Sequence, residues 1–253
     1  MSEEAIRRAA EMIFHSGGGV ALTGAGISVP SGIPDFRSPG GVWEKYDIYE
    51  YGTIQAFLSN PQKVWKLFKE FDSLISAAKP NNAHIALAEL EERGFIKGVI
   101  TQNIDGLHHK AGSKMIVEFH GNCLRLHCVR CGFALGREEY PAEDDGLIPT
   151  CPECDQPLKP TVVLFGEQIP SDSISAALSL TDAANVFVVV GTSASVAPAS
   201  LYPELAFNRG IPVIEINMEA THLTERVATI SILGDAAEIL PKLVGEISRF
   251  AAR

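Results

Sequence analysis

The chain has 253 residues, enough for one large domain with a small module, and 46% of them are hydrophobic against 21% charged, the balance of a soluble globular protein. Its formal net charge of −10 argues against a face built for nucleic acid, which needs a basic surface, and is compatible with a cationic substrate such as a lysine-rich tail. The most apolar run, 186–190, is far too short to span a bilayer, and the acidic start at Glu3 and Glu4 has no apolar stretch behind it, so a cytoplasmic protein without membrane contact is expected.

Ser2 is expected to cap a first helix whose Ile6, Ala9, Ala10 and Ile13 share one face. Gly17, Gly18 and Gly19 end it, and Val20, Ala21 and Leu22 read as a short buried strand. Gly24, Ala25 and Gly26 follow directly. Two glycines spaced by one residue allow a sharp turn and a close approach to a pyrophosphate. A plain glycine turn accounts for them equally well, because Val29 stands where a full dinucleotide fingerprint has its third glycine. Pro30, Gly32 and Pro34 break any helix here. The chain is therefore expected to loop and bring Asp35, Phe36 and Arg37 back over a ligand, the ring against a base or sugar and the guanidinium against phosphate.

From 43 to 79 the pattern is helical and rich in aromatics, with Phe57 and then Val64, Leu67, Phe68 and Phe71 at helical spacing, which reads as the packing stripe of a small helical module. Pro80, Asn81 and Asn82 open a helix over 83–93 that Gly94 closes. His84 falls in its first turn, where the helix dipole disfavours an imidazolium, and is expected to be neutral and structural.

Four more apolar runs read as strands, each ending in small or polar residues. Run 95–100 ends in Gln102, Asn103, Ile104 and Asp105, and run 186–190 in Gly191, Thr192 and Ser193. Run 213–216 ends in Asn217, and run 229–233 in Gly234 and Asp235. Helical segments at 174–180, 201–208 and 236–247 separate the later strands, which implies five parallel strands covered on both faces. Open parallel sheets bind ligands beyond the carboxyl ends of their strands, and the polar residues gather on that edge.

Cys128 and Cys131 form one Cys-x-x-Cys pair and Cys151 and Cys154 a second, nineteen residues on. That spacing predicts a tetrahedral thiolate zinc site, structural because four thiolates leave no open position. Cys123 and His127 are spare. The module spans about 122–159 and is expected to be inserted between strand-like runs at 115–119 and 161–165. His120, Phe165, Gly166 and Glu167 then flank a cleft between a large and a small domain, with His120 a candidate general base. A hydride-transferring dehydrogenase is disfavoured, since the incomplete fingerprint runs into a proline-broken loop rather than a helix.

Taken together, these motifs resemble the sirtuin family of NAD-dependent protein-lysine deacylases. The resemblance is carried, in the family's order, by Gly24 to Ser28, Gly32 to Arg37, Pro80-Asn81, Ala83-His84, Thr101 to Asp105, His120-Gly121, the four cysteines, Phe165-Gly166-Glu167, Gly191-Thr192-Ser193, Asn217 and Gly234 to Ala236. It implies an α/β fold, a Rossmann-like parallel sheet with an inserted small domain. The large domain is then 1–42, 80–121 and 160–253, and a helical module, 43–79, joins a zinc module, 122–159, as the small one.

The resemblance also implies that NAD is consumed as a co-substrate and that an acetyl-lysine peptide binds as an added strand. Ala25, Asp35, Phe36, Arg37, Gln102, Asn103 and Asp105 would hold the nicotinamide and its ribose, and Thr192, Ser193, Asn217 and Ala236 would serve the adenosine end and phosphates. Gly24, Gly26, Ile104, Gly191 and Met218 would also bind the cofactor. His120 and Asn103 would be catalytic, and Val163, Phe165, Gly166, Glu167 and Val196 would hold the peptide. Mono-ADP-ribosyl transfer or removal of longer acyl chains in the same cleft is the alternative activity. Members that prefer succinyl or malonyl lysine carry a Tyr-x-x-Arg pair where this chain has Phe68 and Phe71, so an apolar acyl group, acetyl first, is expected.

Overall fold

The computed structural model of the chain describes residues 3–140 and 148–252. Helix α1 (Glu3–Ser16) buries Ile6, Ala9, Ala10 and Ile13; its expected cap, Ser2, lies outside the described residues. Strand β1 (Gly19–Thr23) is buried throughout. Two single 3₁₀ turns, Ala25–Ile27 and Val29–Ser31, then replace the helix that would follow in an ordinary βα unit, as Pro30 and Gly32 dictate.

Four helices come next: α2 (Val42–Lys45), α3 (Ile48–Tyr51), α4 (Ile54–Ser59) and α5 (Pro61–Ala77). Their starts follow from capping chemistry. Asp47, Thr53 and Asn60 each accept from a backbone amide in the first turn, and Pro61 occupies a position where its missing N–H costs nothing. Each such cap is worth about 1 kcal/mol. Helix α6 (Asn82–Glu92) begins in a capping box between Asn81 and His84, and leads into β2 (Ile96–Thr101), α7 (Leu107–Ala111) and β3 (Ile116–Glu118).

The remaining elements are β4 (Arg125–Cys128), β5 (Ala134–Gly136), β6 (Leu158–Pro160), α8 (Ser171–Ala183), β7 (Val186–Val190), α9 (Leu201–Asn208), β8 (Val213–Asn217), α10 (His222–Arg226), β9 (Ile230–Leu233) and α11 (Ala236–Ala251). The main sheet runs β3-β2-β1-β7-β8-β9, with every neighbouring pair parallel. This is the strand order of dinucleotide-binding folds, with its switch point between β1 and β7. The sheet has six strands where five were expected, because the run at 115–119 pairs with β2 as β3 instead of merely flanking the insert. Helices α1, α6 and α11 cover one face and α8, α9 and α10 the other, each over its own apolar cluster. Burial on both faces is why these strands read as continuous apolar runs.

The second run expected to be a strand, 161–165, joins neither sheet. It crosses as an extended segment, held by Val163 N–H donating to the His120 carbonyl and Phe165 N–H to that of Gly52, with one isolated bridge to Thr53. The pairing preceding it belongs to β6, which lies antiparallel to β4 in a small sheet, β5-β4-β6, and straddles the position 159/160.

One apolar cluster joins the helices of 43–79 to that small sheet. Phe57, Val64, Trp65 and Phe68 pack with Leu126, Leu158 and Cys151, and the Trp65 indole N–H donates to the Leu158 carbonyl at 2.8 Å. A second cluster, with Leu67, Phe71 and Ile75 against Ile33, Leu107 and Val162, ties the same helices to the large domain. The cleft lies along that seam.

Candidate active site

The turns after β1 and β7 cross at close range. Gly26 N–H donates to the Gly191 carbonyl at 2.8 Å. A Cβ on Gly26 would stand 2.8 Å from that oxygen, and one on Gly191, whose φ is +60°, only 2.4 Å from Ile27 N. The glycines are therefore required by the crossing of two backbones, rather than by an approach to a ligand alone. The crossing brings the ends of β1, β2, β7 and β8 and the start of α11 onto one wall of a cavity of about 700 Å³, within the usual range of ligand sites, about 300–1,000 Å³.

Of the residues expected to hold a cofactor, all but Asp105 line this cavity. Gln102 donates to Thr192 Oγ1 at 3.0 Å, which locks two strand ends together. The Asn103 amide donates to the Gly24 carbonyl and to Ser28 Oγ, both at 3.1 Å. Ser193 and Ser195 share a hydroxyl contact of 2.8 Å, and Arg37 donates to Ser195 Oγ at 2.5 Å across the mouth. Asp35 accepts from the amides of Arg37 and Ser38; burial pushes its pKa up, and these N–H groups together outweigh that and hold it below the ordinary carboxylate range. Phe36 stacks between Trp43 and Phe71, with ring centroids 5.5 and 5.8 Å away, so the loop that crosses the cleft rests on the small domain.

Asp105 sits behind the wall. It is 4% exposed and accepts from Ser28 Oγ and Leu107 N–H, each at 2.8 Å, with burial raising its pKa. Its contact with the cavity is indirect, through Ser28 and Asn103. Ser28 thus joins Asn103, Asp105 and, at 3.5 Å, His84. Sequence reasoning singled out none of the Ser28 contacts; the available signal was a hydroxyl directly after a glycine turn. His84 is buried with its pKa depressed to about 4 by desolvation, which makes it neutral, as expected. His108, which no motif reading addressed, stacks on it 4.9 Å away and meets Thr23 Oγ1 at 2.9 Å.

His120 lines the cavity at the end of the turn after β3. Its Nδ1 lies 3.2 Å from the Gln102 carbonyl oxygen, which can only accept, so Nδ1 carries the proton and Nε2 keeps its lone pair. Burial lowers the His120 pKa and the Gln102 contact only partly opposes it. Val163, Phe165, Gly166 and Glu167 form one rail of the cavity beside it and Val196, Ala197 and Pro198 the other. Leu67, Phe68, Phe71 and Val162 supply an apolar stretch of wall, so the stripe of α5 is at once core packing and cavity lining. Trp43, Thr221 and His222 also line it without having been foreseen, since no local motif marks residues that arrive from a neighbouring loop.

The four expected metal ligands converge. The Sγ atoms of Cys128, Cys131, Cys151 and Cys154 all lie within 4.8 Å of one another. A zinc ion with Zn–S bonds of about 2.3 Å would set tetrahedral sulfurs about 3.8 Å apart, so the cluster fits that ion. Each pair sits on a knuckle closed by a bond back to its first cysteine, from Gly132 (φ +79°) in one and Asp155 (φ +56°) in the other. Cys123 and His127 stand outside the cluster, as expected.

A parallel six-stranded sheet with a polar cleft at its switch point, flanked by a small domain built on a four-thiolate site, defines a dinucleotide-dependent class of protein. The comparisons with known proteins narrow it. A family model described as Sir2 family matches residues 24–198. The chain is 45% identical over 248 residues to an NAD-dependent protein deacylase of Thermococcus sibiricus, covering 96% of this chain and 97% of that one. A solved structure described as a Sir2 homolog–NAD complex aligns with a TM-score of 0.90 at 40% identity, over 96% of this chain and 94% of the other. One described as Sir2–p53 peptide–NAD⁺ aligns with a TM-score of 0.87 at 36% identity, over 96% and 98%. The chain belongs to the Sir2 family.

No helix among the described residues is long and apolar enough to cross a membrane.

Proposed function

We propose that this protein is an NAD-dependent protein-lysine deacetylase, moving the acetyl group of acetyl-lysine onto the ADP-ribose part of NAD with release of nicotinamide. The observation that carries this reading is the placement of His120. Its basic Nε2 belongs to a fixed tautomer in a cavity shared by the polar sheet edge, the extended segment before Gly166 and the turn at 196–198. The deacylase relative and the neighbours solved with NAD and with a peptide support it.

Bound NAD supplies an activated ribose carbon and a leaving group. The chain's residues do the rest. The wall of Ala25, Gln102 and Asn103 is the floor for the nicotinamide ribose, and Thr192, Ser193, Asn217 and the start of α11 receive the phosphates and adenosine, as helix starts do for anions. The rails of Val163 to Glu167 and Val196 to Pro198 take the peptide main chain as an added strand. Leu67, Phe68, Phe71 and Val162 enclose the acyl group and exclude water. No arginine stands at position 71 to pair with an acyl carboxylate, which favours acetyl over succinyl. His120 Nε2 accepts the proton from a ribose hydroxyl and so makes it a nucleophile. The zinc site holds the small domain's shape and takes no part in the chemistry. A reducing, cytoplasmic setting suits a site made of four thiolates.

Mass spectrometry of an acetyl-lysine peptide incubated with and without NAD tests this reading. Loss of the acetyl group with NAD alone is expected, and an unchanged peptide overturns it.

A further inference from the structure

The least ordinary side chain outside the cleft is Lys159. Its side chain is 0% exposed although it carries a charge, and it sits on β6, in the small sheet beside the thiolate site. A buried ammonium is tolerated only if each of its three protons finds an acceptor. Here all three do: Nζ lies 3.1 Å from the Pro160 carbonyl, 2.6 Å from the Val162 carbonyl and 3.1 Å from Glu167 Oε2. Pro160 ends β6 itself, whereas Val162 and Glu167 belong to the stretch beyond it that runs along one side of the cavity.

Glu167 passes the constraint on. Its Oε2 accepts from Leu164 N–H at 2.7 Å, and its own N–H donates to the Leu164 carbonyl at 3.0 Å, closing a turn through Gly166. The polar groups of Leu164 are thereby satisfied without a neighbouring strand. Since 161–165 joins neither sheet, this ammonium–carboxylate clamp works beside the bond from Val163 to His120 and the two bonds of Phe165, to Gly52 and from Ile54, in holding the rail. A methionine of similar volume would fill the space but hold none of the three oxygens.

We infer that Lys159 is a positioning residue for the peptide substrate: its buried ammonium, gripping Pro160, Val162 and Glu167, shapes the Val163–Glu167 rail and transmits the geometry of the small sheet to the peptide site. The inference rests on the deacetylase reading for the identity of what the rail binds, but the clamp itself does not. Burial lowers the Lys159 pKa and Glu167 opposes that, as a working ion pair requires.

Steady-state kinetics of Lys159→Met on the zinc-loaded protein, with an acetyl-lysine peptide and NAD varied in turn, tests it. The peptide KM is expected to rise roughly tenfold or more while the KM for NAD stays within about twofold and the zinc content is unchanged. Lys159→Arg, which keeps a cation at Glu167, is expected to recover most of the loss. Should the Met variant not fold, because it strands a carboxylate, Lys159→Met with Glu167→Gln removes both charges and is expected to show the same selective rise. An unchanged peptide KM in the folded variant overturns the proposal, and so do equal rises in both KM values with zinc loss, which would mark a merely structural lysine. Amide hydrogen exchange at Val163, Leu164 and Phe165, expected to quicken in the variant against unchanged rates in β1 and β7, needs no turnover. It therefore separates failure of the clamp from failure of the deacetylase reading, since an inactive wild type with a quickened variant rail sinks only the latter.

Discussion

The Nδ1 atom of His120 faces the backbone carbonyl of Gln102 at 3.2 Å, and this single contact chooses which nitrogen of the ring can act as a base. Because burial lowers the His120 pKa below its ordinary 6.5, the ring is neutral and basic at neutral pH, and activity is lost only as pH falls through that lowered value. The kcat/KM profile for an acetyl-lysine peptide should therefore show its acid limb below pH 6.5. An acid limb above that value would contradict the assignment. His120→Ala should lower kcat by about 10²- to 10⁴-fold with the fold and NAD affinity retained.

The paired histidines behind the wall bear on stability. His84 and His108 have pKa values depressed by burial to about 4 and about 3, so the unfolded chain takes up their protons first as pH falls from 6.5. Stability present above pH 6.5 is then lost progressively down to those values, by up to a few kcal/mol for each ring, at about 1.4 kcal/mol for each tenfold difference in proton affinity. Denaturant melts of the wild type and His108→Gln between pH 7 and pH 4 should converge toward the acid end. A constant difference between the two curves would mean that His108 does not titrate on unfolding.

Removal of zinc should be visible at Trp65. This ring is buried against the small sheet and donates to the Leu158 carbonyl, so it reports on a module that has little core of its own beyond the shared cluster. Chelation, or Cys128→Ala, should red-shift the tryptophan emission and lower the melting temperature while the main sheet keeps its far-ultraviolet signal. Full zinc content in Cys128→Ala would remove that residue from the ligand set.

Acyl preference should follow the wall of α5. Phe68→Tyr with Phe71→Arg places a hydroxyl and a guanidinium on the lining where only rings now stand. The ratio of desuccinylation to deacetylation on one peptide should rise by roughly tenfold or more, since a bidentate arginine–carboxylate pair is among the stronger recognition contacts. An unaltered ratio would show that these positions do not meet the acyl group. Phe71 also stacks on Phe36, so some loss of stability accompanies the change.

Local chemistry determined much of this molecule. The buried parallel strands, the capped helix starts, the proline-broken loop after β1 and the four-thiolate knuckles each follow from side chains within a few residues of one another, and all were readable in the chain. Other features depended on which segments meet. The sixth strand formed because β2 offered 116–118 an open edge, and 161–165 stayed out of both sheets with its carbonyls taken by the Lys159 ammonium at Val162, Glu167 N–H at Leu164 and Ile54 N–H at Phe165. Gly26 proved to serve a crossing with Gly191, and Asp105 proved to stand behind Ser28 rather than on the cavity wall. Periodicity records the burial of one element at a time. The partners of Asp105 and Asn103 at Ser28 lie more than seventy residues away along the chain, and only the packed fold could name them.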